Sequence, residues 1–290
     1  MSSTARAMSP TTAAIRAGGV RAAIELRQTF SNAQDLVNQF STPIVLLVAL
    51  FFMRDASFRG GEYTLGALAL PGVIGSVIAF NGVFAIAQFL VLDREDGTLL
   101  RAKAVPNGMV GYFIGKIGTS AGTVLVQVVV LLGFGMPIVG GLSLTDAASW
   151  ATLLWVLALG LLATLPLGAI LGATLSDSRA TFFLTIPLMG LIAISGIYYP
   201  VTGLPGWLQA VAQVFPMYWL GLGMRSAMLP PEAVVVELEQ SWRHAETAAV
   251  LGVWAVVGLA LAPAILRRMA RRESGVGMDA RREKALKRVY

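Results

Sequence analysis

The sequence predicts an all-α, polytopic integral membrane protein with six transmembrane helices, cytoplasmic N- and C-termini and a broken re-entrant segment between helices 5 and 6. Three observations lead there. Hydrophobic residues make up 56% of the 290 residues and charged residues only 13%, about half the ordinary charged share and too little to solvate a globule of this size. Charges are absent from 36–53, 63–92, 117–145, 147–176, 180–224 and 247–266, and each stretch can hold a helix of about 17–25 residues crossing a hydrocarbon core of ~30 Å. Lys and Arg, finally, are segregated between alternate connections, as the positive-inside rule requires.

Taken in order, residues 1–33 form a cytoplasmic leader without the apolar core of a cleavable signal peptide. Within 13–38, Ile15, Val20, Ile24, Leu26, Phe30 and Leu36 are mixed with Arg16, Arg21, Glu25 and Arg27 in an imperfect helical stripe. That pattern fits an amphipathic interfacial helix, with a flexible basic leader as the alternative up to Gly19. The membrane domain runs over 34–266, its first helix serving as the insertion signal. The stretch 180–224 is long enough for two helices, but Pro200, Gly203, Pro205, Gly206 and Pro216 interrupt it. One clean crossing remains near 181–199, followed by a segment at 199–229 whose helices are too short to cross. A basic tail occupies 267–290.

Six crossings with the N-terminus inside place Arg6, Arg16, Arg21 and Arg27 in the cytoplasm, with Arg94, Arg101, Lys103, Lys116, Arg179 and the nine cations of the tail. Only Arg54, Arg59, Arg225 and Arg243 fall outside. A seventh crossing would carry the nine-cation tail across as well. The net charge of +6 is therefore an orientation signal rather than a mark of nucleic-acid binding, and anionic headgroups are the partner expected for the tail.

Several chemistries are excluded by the residues. With no Cys and a single His, His244, a zinc site or a thiol nucleophile is not expected. Gly118-Thr119-Ser120-Ala121-Gly122 mimics a nucleophile elbow, but it lies in an apolar helix without a base. It reads as a small-residue face for close helix approach, like Gly111 with Gly115 and Gly168 with Gly172. Gly115-Lys116 is not the end of a phosphate loop, because Val110 and Ile117 occupy the positions of the first Gly and the Mg-binding hydroxyl. Lys116 and Arg225 are expected near helix ends, where they can snorkel, so no ionisable residue is placed mid-helix for an ion relay.

Two segments carry a family resemblance. Leu92-Asp93-Arg94-Glu95-Asp96-Gly97-Thr98-Leu99-Leu100-Arg101-Ala102-Lys103-Ala104-Val105-Pro106, followed by an apolar run to Gly115-Lys116, opens acidic and turns at Gly97. It continues as a short helix with Arg101 and Lys103 on its surface. It resembles the "R-E-x-G-T-L … P … G-K" cytoplasmic stretch of type-2 ATP-binding-cassette (ABC) exporter permeases, which include drug-resistance, lipid and polysaccharide export permeases. Leu100 departs from the acidic residue that many members carry there. Ser195-Gly196-Ile197-Tyr198-Tyr199-Pro200, Leu204-Pro205-Gly206-Trp207-Leu208 and the run through Pro216 to Arg225 look like the family's "S-G-x-x-x-P … L-P-x-W-L … P … R" region. In that family the region dips into the outer leaflet, and Trp207, Tyr218 and Trp219 suit a headgroup boundary. Residues 230–246, with four Glu, match nothing in the pattern.

The resemblance implies a plasma-membrane permease subunit that pairs with a second permease, identical or homologous, and with two separate ABC ATPase subunits. Those subunits, not this chain, would bind ATP and Mg and perform hydrolysis; no cofactor is expected here. The loop 93–108, through Asp93, Arg94, Glu95, Gly97, Thr98, Arg101 and Pro106, would couple to the ATPase, with a second contact at 176–179 through Asp177 and Arg179. Tyr199, Pro200, Pro205, Trp207, Pro216 and Arg225 would form the outer gate. Asn81, Gln88, Phe182 and Met189 are assigned to the substrate path, with ordinary helix packing as the alternative. The cargo class is an amphipathic drug, lipid or glycan. A secondary carrier would need a mid-membrane charged site or an internal repeat, neither of which is evident; a membrane scaffold or sensor is the other competing class.

Overall fold

Ten α-helices organise the chain in a computed structural model that describes residues 9–56, 64–142, 144–175 and 177–272. They are α1 (Pro10–Thr29), α2 (Ala33–Met53), α3 (Leu65–Glu95), α4 (Thr98–Lys103), α5 (Gly108–Val139), α6 (Ala147–Thr174), α7 (Ser178–Ile194), α8 (Gly206–Val214), α9 (Pro216–Met228) and α10 (His244–Arg272). The expectations for residues 1–8, Ser176 and the tail beyond Arg272 lie outside the described residues. Polar caps fix many of the starts. Asn32, Thr64, Asp146 and Asp177 accept from the main-chain N–H of Gln34, Ala67, Ser149 and Ala180 at 3.0, 3.2, 3.3 and 2.9 Å, satisfying donors that have no partner inside the helix.

Among the described residues, five helices, α2, α3, α5, α6 and α10, are long and apolar enough to cross a membrane. The sixth apolar helix, α7, has 17 residues, about 25 Å at 1.5 Å per residue. It ends at Ile194 rather than running to Tyr199 as the sequence suggested. Ser195 turns back, its hydroxyl donating to Ile192 O at 2.7 Å and accepting from Ile197 N–H at 3.3 Å, and Gly196 takes φ +66°, which an L side chain resists. The turn nevertheless extends the path of α7 along α3. Arg94 at the C-terminal end of α3 donates to Leu175 O, just before α7, whereas Ile197, just after α7, packs against Gly72 near the N-terminal end of α3.

Prolines divide into two kinds. Pro43, Pro71, Pro137, Pro166, Pro187 and Pro263 sit inside α2, α3, α5, α6, α7 and α10, as membrane helices tolerate when neighbours satisfy the freed carbonyls. Pro200, Pro205 and Pro216 instead delimit short pieces, the last two standing at the starts of α8 and α9. The expected broken segment is therefore present as two helices of 9 and 13 residues, too short to cross.

The central helix is α3, with Leu70, Ile74, Ile78, Ala79 and Ala87 fully buried between α6, α9, α5 and α7. α10 packs on α6 and α9, and α2 on α5. The amphipathic leader, α1, lies on α5. A Cβ at Gly118 or Gly122 of α5 would press on Ala22 or Leu26 of α1, and one at Gly111 would press on Ala14 O. The apparent nucleophile elbow is thus part of a small-residue seat, as its composition indicated, and the helix seated there is the leader. Matching numbers rise together, so α1 runs parallel to the first half of α5.

Candidate functional site

The charged connection after α3 is built around one positive-φ residue. Gly97 adopts φ 78°, reversing the chain so that α4 can start, and Asp96 accepts from Thr98 N–H at 2.8 Å. Arg101 donates to the Thr98 hydroxyl at 2.8 Å and to Asp96 O at 3.4 Å. Leu99 is 1% exposed and roots α4 in the core. Asp96, Arg101, Lys103 and Pro106 remain on the surface, with Glu95 and Thr98 half-buried. α4 is thus a short helix anchored at Leu99 with an exposed charged face, and it occupies the position of the helix expected after Gly97.

Asp93 and Arg94 are turned inward, both buried, and their charges are used within the chain. Tyr112 donates to Asp93 Oδ2 at 2.6 Å, and Lys116 Nζ lies 3.2 Å from the same oxygen. Lys116 also reaches Glu25 of α1 at 3.4 Å. Glu25 further accepts from Arg21 Nε at 2.8 Å and from the Thr119 hydroxyl at 3.0 Å. Two carboxylates, an ammonium and a guanidinium thus form a balanced knot joining α1, α3 and α5, with Lys116 Nζ 4.9 Å from the Phe89 ring centroid. Burial pushes the Glu25 carboxyl up, but the Arg21 hydrogen bond, the Lys116 charge and the Thr119 hydroxyl outweigh it and hold it below the usual carboxylate range. Lys116 was expected to snorkel; it is buried because Asp93 and Glu25 compensate its charge better than a partly hydrated helix end would.

The Arg94 bond to Leu175 O brings the first charged connection against the α6–α7 junction. There Asp177 caps α7 and Arg179 is exposed. The sequence separated these two regions by some eighty positions; the fold places them at one end of the bundle.

The opposite end is closed by the broken segment. Tyr199 donates to Ala193 O at 2.8 Å, Pro200 and Pro216 are buried, Pro205 is exposed, and Trp207 is 70% exposed. Tyr218 and Trp219, expected at a headgroup boundary, are instead core residues at 0% and 2% exposure, because α9 packs against α3, α6 and α10. Trp219 Nε1 donates to Gln213 O at 2.7 Å beneath the Arg243 guanidinium.

Arg225 does not snorkel either. It is completely buried, donating from Nε and Nη2 to the two Glu237 carboxylate oxygens at 2.5 and 3.3 Å. Nη1 donates to Gly196 O and Ile197 O at 3.2 and 3.0 Å. One guanidinium therefore ties α9, the turn after α7 and the 230–240 segment together. Glu237 was missed as a site residue and placed on the outside. The available signal was physical: an Arg among apolar residues needs a carboxylate, and the only nearby acids were those of 230–246.

Of the proposed path residues, Asn81 donates to Gln127 Oε1 at 3.0 Å and Gln127 to Gln39 O at 2.9 Å. This polar chain links α3, α5 and α2, with Gln127 another residue the sequence reading passed over. Gln88 is exposed. Phe182 and Met189 lie with Ile186 on one α7 face, 66%, 41% and 65% exposed. The four are not gathered in one cavity. Residues 22–263 match the family described as ABC-2 family transporter protein. No curated protein matches the chain.

Proposed function

The chain belongs to the ABC-2 transporter family, and from that premise we propose that this multi-pass permease subunit is one half of an ATP-driven exporter of amphipathic cargo in the plasma membrane. In this reading α2, α3, α5, α6, α7 and α10 are the six crossings, α4 and the α6–α7 junction face the cytoplasm, and α8–α9 are the outer re-entrant lid. A second permease subunit completes the translocation path, and two ATPase subunits dock on the charged face of α4, with Arg179 beside it. ATP and Mg reside on those partners.

The observation that carries the reading is the knot behind α4. Displacement of α4 moves the buried root Leu99 and the end of α3; Asp93 passes that movement to Tyr112 and Lys116 of α5, and Lys116 to Glu25 of the leader. The partner's work thereby reaches three helices through short charge-assisted contacts. The α7 face bearing Phe182, Ile186 and Met189 supports a path or a subunit contact at that surface.

The test is co-purification with ABC ATPase subunits. The permease is expected to retain an ATPase that hydrolyses ATP, and to hydrolyse none when purified alone. Transport by the isolated chain, driven by an ion gradient, would overturn the assignment.

A further inference from the structure

A groove between α5 and α10 is left open because α10 packs on α6 and α9 while α5 is engaged with α1, α2 and α3. Its deeper part, about 230 Å³, is walled by apolar side chains including Ile86, Leu90, Phe113, Ile117 and Leu266. Lys116 contributes to this wall, but its ammonium is turned to Asp93 and Glu25. Toward the α4 end the groove continues as a cavity of about 180 Å³ lined by Met109, Phe113, Leu266, Arg267 and Ala270.

The mouth is basic. Arg267 belongs both to this cavity and to a shallow basin formed with Arg268 and Arg271 on α10. Its Nε donates to Pro263 O at 3.1 Å, which draws the guanidinium back over the slot. The flanks are exposed apolar residues, Val110, Ile117 and Leu259 at 40%, 40% and 49%, on helices long enough to cross a membrane.

An apolar slot opening onto three arginines fits an amphiphile with an acyl tail and an anionic head. We propose that this groove is a binding site for an anionic glycerophospholipid of the cytoplasmic leaflet. One acyl chain lies between α5 and α10, and the phosphate engages Arg267, Arg268 and Arg271. The inference rests on the proposed topology, which puts the α4 end of the bundle inside. Surface cations each contribute measurably to anionic-lipid affinity, and the buried tail adds selectivity for a long chain. The bound lipid would wedge α10 against α5 beside the Lys116 knot.

The full-length chain in nanodiscs of phosphatidylcholine with phosphatidylglycerol provides the test, with retained lipid counted by native mass spectrometry. Wild type is expected to retain one phosphatidylglycerol in preference to phosphatidylcholine. Arg267→Gln with Arg271→Gln should lower that retention about thirtyfold, the loss of two cations near a membrane surface at roughly 1 kcal/mol each. Ile117→Trp, which fills the slot without changing charge, should lower it too. Arg16→Gln with Arg27→Gln removes two exposed cations of α1 and should leave it unchanged. Equal loss in the α1 variant would reduce the effect to general surface charge and overturn the site, as would equal retention of phosphatidylcholine by wild type. Labelling of Arg271→Cys from outside the cell would instead fail the topology. Labelling from inside with unaltered lipid retention in the slot and mouth variants would fail the site alone.

Discussion

A guanidinium with no exposed surface is tolerable only with its charge matched, and in Arg225 the match is Glu237 and two main-chain carbonyls. Removing one partner of such a pair costs about 3–5 kcal/mol, whereas replacing both by apolar groups of similar size is often neutral. Glu237→Ala should therefore lower the unfolding temperature of the purified chain sharply, and Arg225→Met with Glu237→Met should recover most of it. A double variant as unstable as the single one would show that the two carbonyl contacts, not the ion pair, hold the lid. Glu25 gives the pH-dependent counterpart. Its folded-state pKa lies below the usual carboxylate value, so the ionised form is the one that folding favours. Its contribution is complete above the ordinary range near 4.5 and is lost as the pH falls through the lowered folded value. Docking of α1 on α5, followed by the distance between spin labels on the two helices, should loosen on acidification in wild type. Glu25→Gln should be loosened already at neutral pH, with little further acid response.

Among the elements, α4 and α1 show how far sequence patterns reach. The acidic opening, Gly97 and the following cations suffice to place a short surface helix, because a positive-φ residue and a local cap act over a few positions. The inward turn of Asp93 and Arg94 is not legible there, since their partners, Tyr112, Lys116 and Leu175, come from other helices. The leader is legible as amphipathic through Ile15, Ile24 and the arginines; that its small face seats on Gly111, Gly118 and Gly122 is a pairing between helices that neither periodicity contains. The shortened α7 has a local cause instead: Ser195 and Gly196 end it before the first breaker proline does. Gly97→Val should leave membrane abundance normal while ATPase-subunit retention falls, because a β-branched residue resists φ 78°. Gly122→Leu should displace α1 through its clash with Leu26, read as a longer distance between spin labels on the exposed faces of α1 and α5. An unchanged distance would show that the seat accommodates a large side chain.

For the whole molecule, the number of crossings decides which surfaces would meet the proposed ATPase and which the outside. Five helices satisfy a length criterion and α7, at 17 residues, is the doubtful one. Yet the contacts on either side of α7 are Arg94 with Leu175 and Gly72 with Ile197, which lie 22 residues apart along α3, about 33 Å at 1.5 Å per residue. The helix and its terminal turn together therefore cover a bilayer-sized distance that the helix alone does not. In the proposed six-crossing arrangement α10 returns to the α4 side, so that Arg101, Arg179 and Arg271 would share one face of the membrane, the arrangement the positive-inside rule favours. On this naturally Cys-free chain, Glu232→Cys, an exposed position in the segment after α9, should react with an impermeant maleimide on intact cells. Arg101→Cys and Arg271→Cys should react only after permeabilisation. Glu237→Cys should react poorly in both conditions, because that side chain has no exposed surface, unless loss of the Arg225 pair opens the lid. If Glu232→Cys and Arg271→Cys are labelled from the same side, α10 does not cross and the six-helix arrangement fails. Labelling of Glu232→Cys and Arg101→Cys from the same side would instead place the broken segment in the cytoplasm and remove the outer lid from the mechanism.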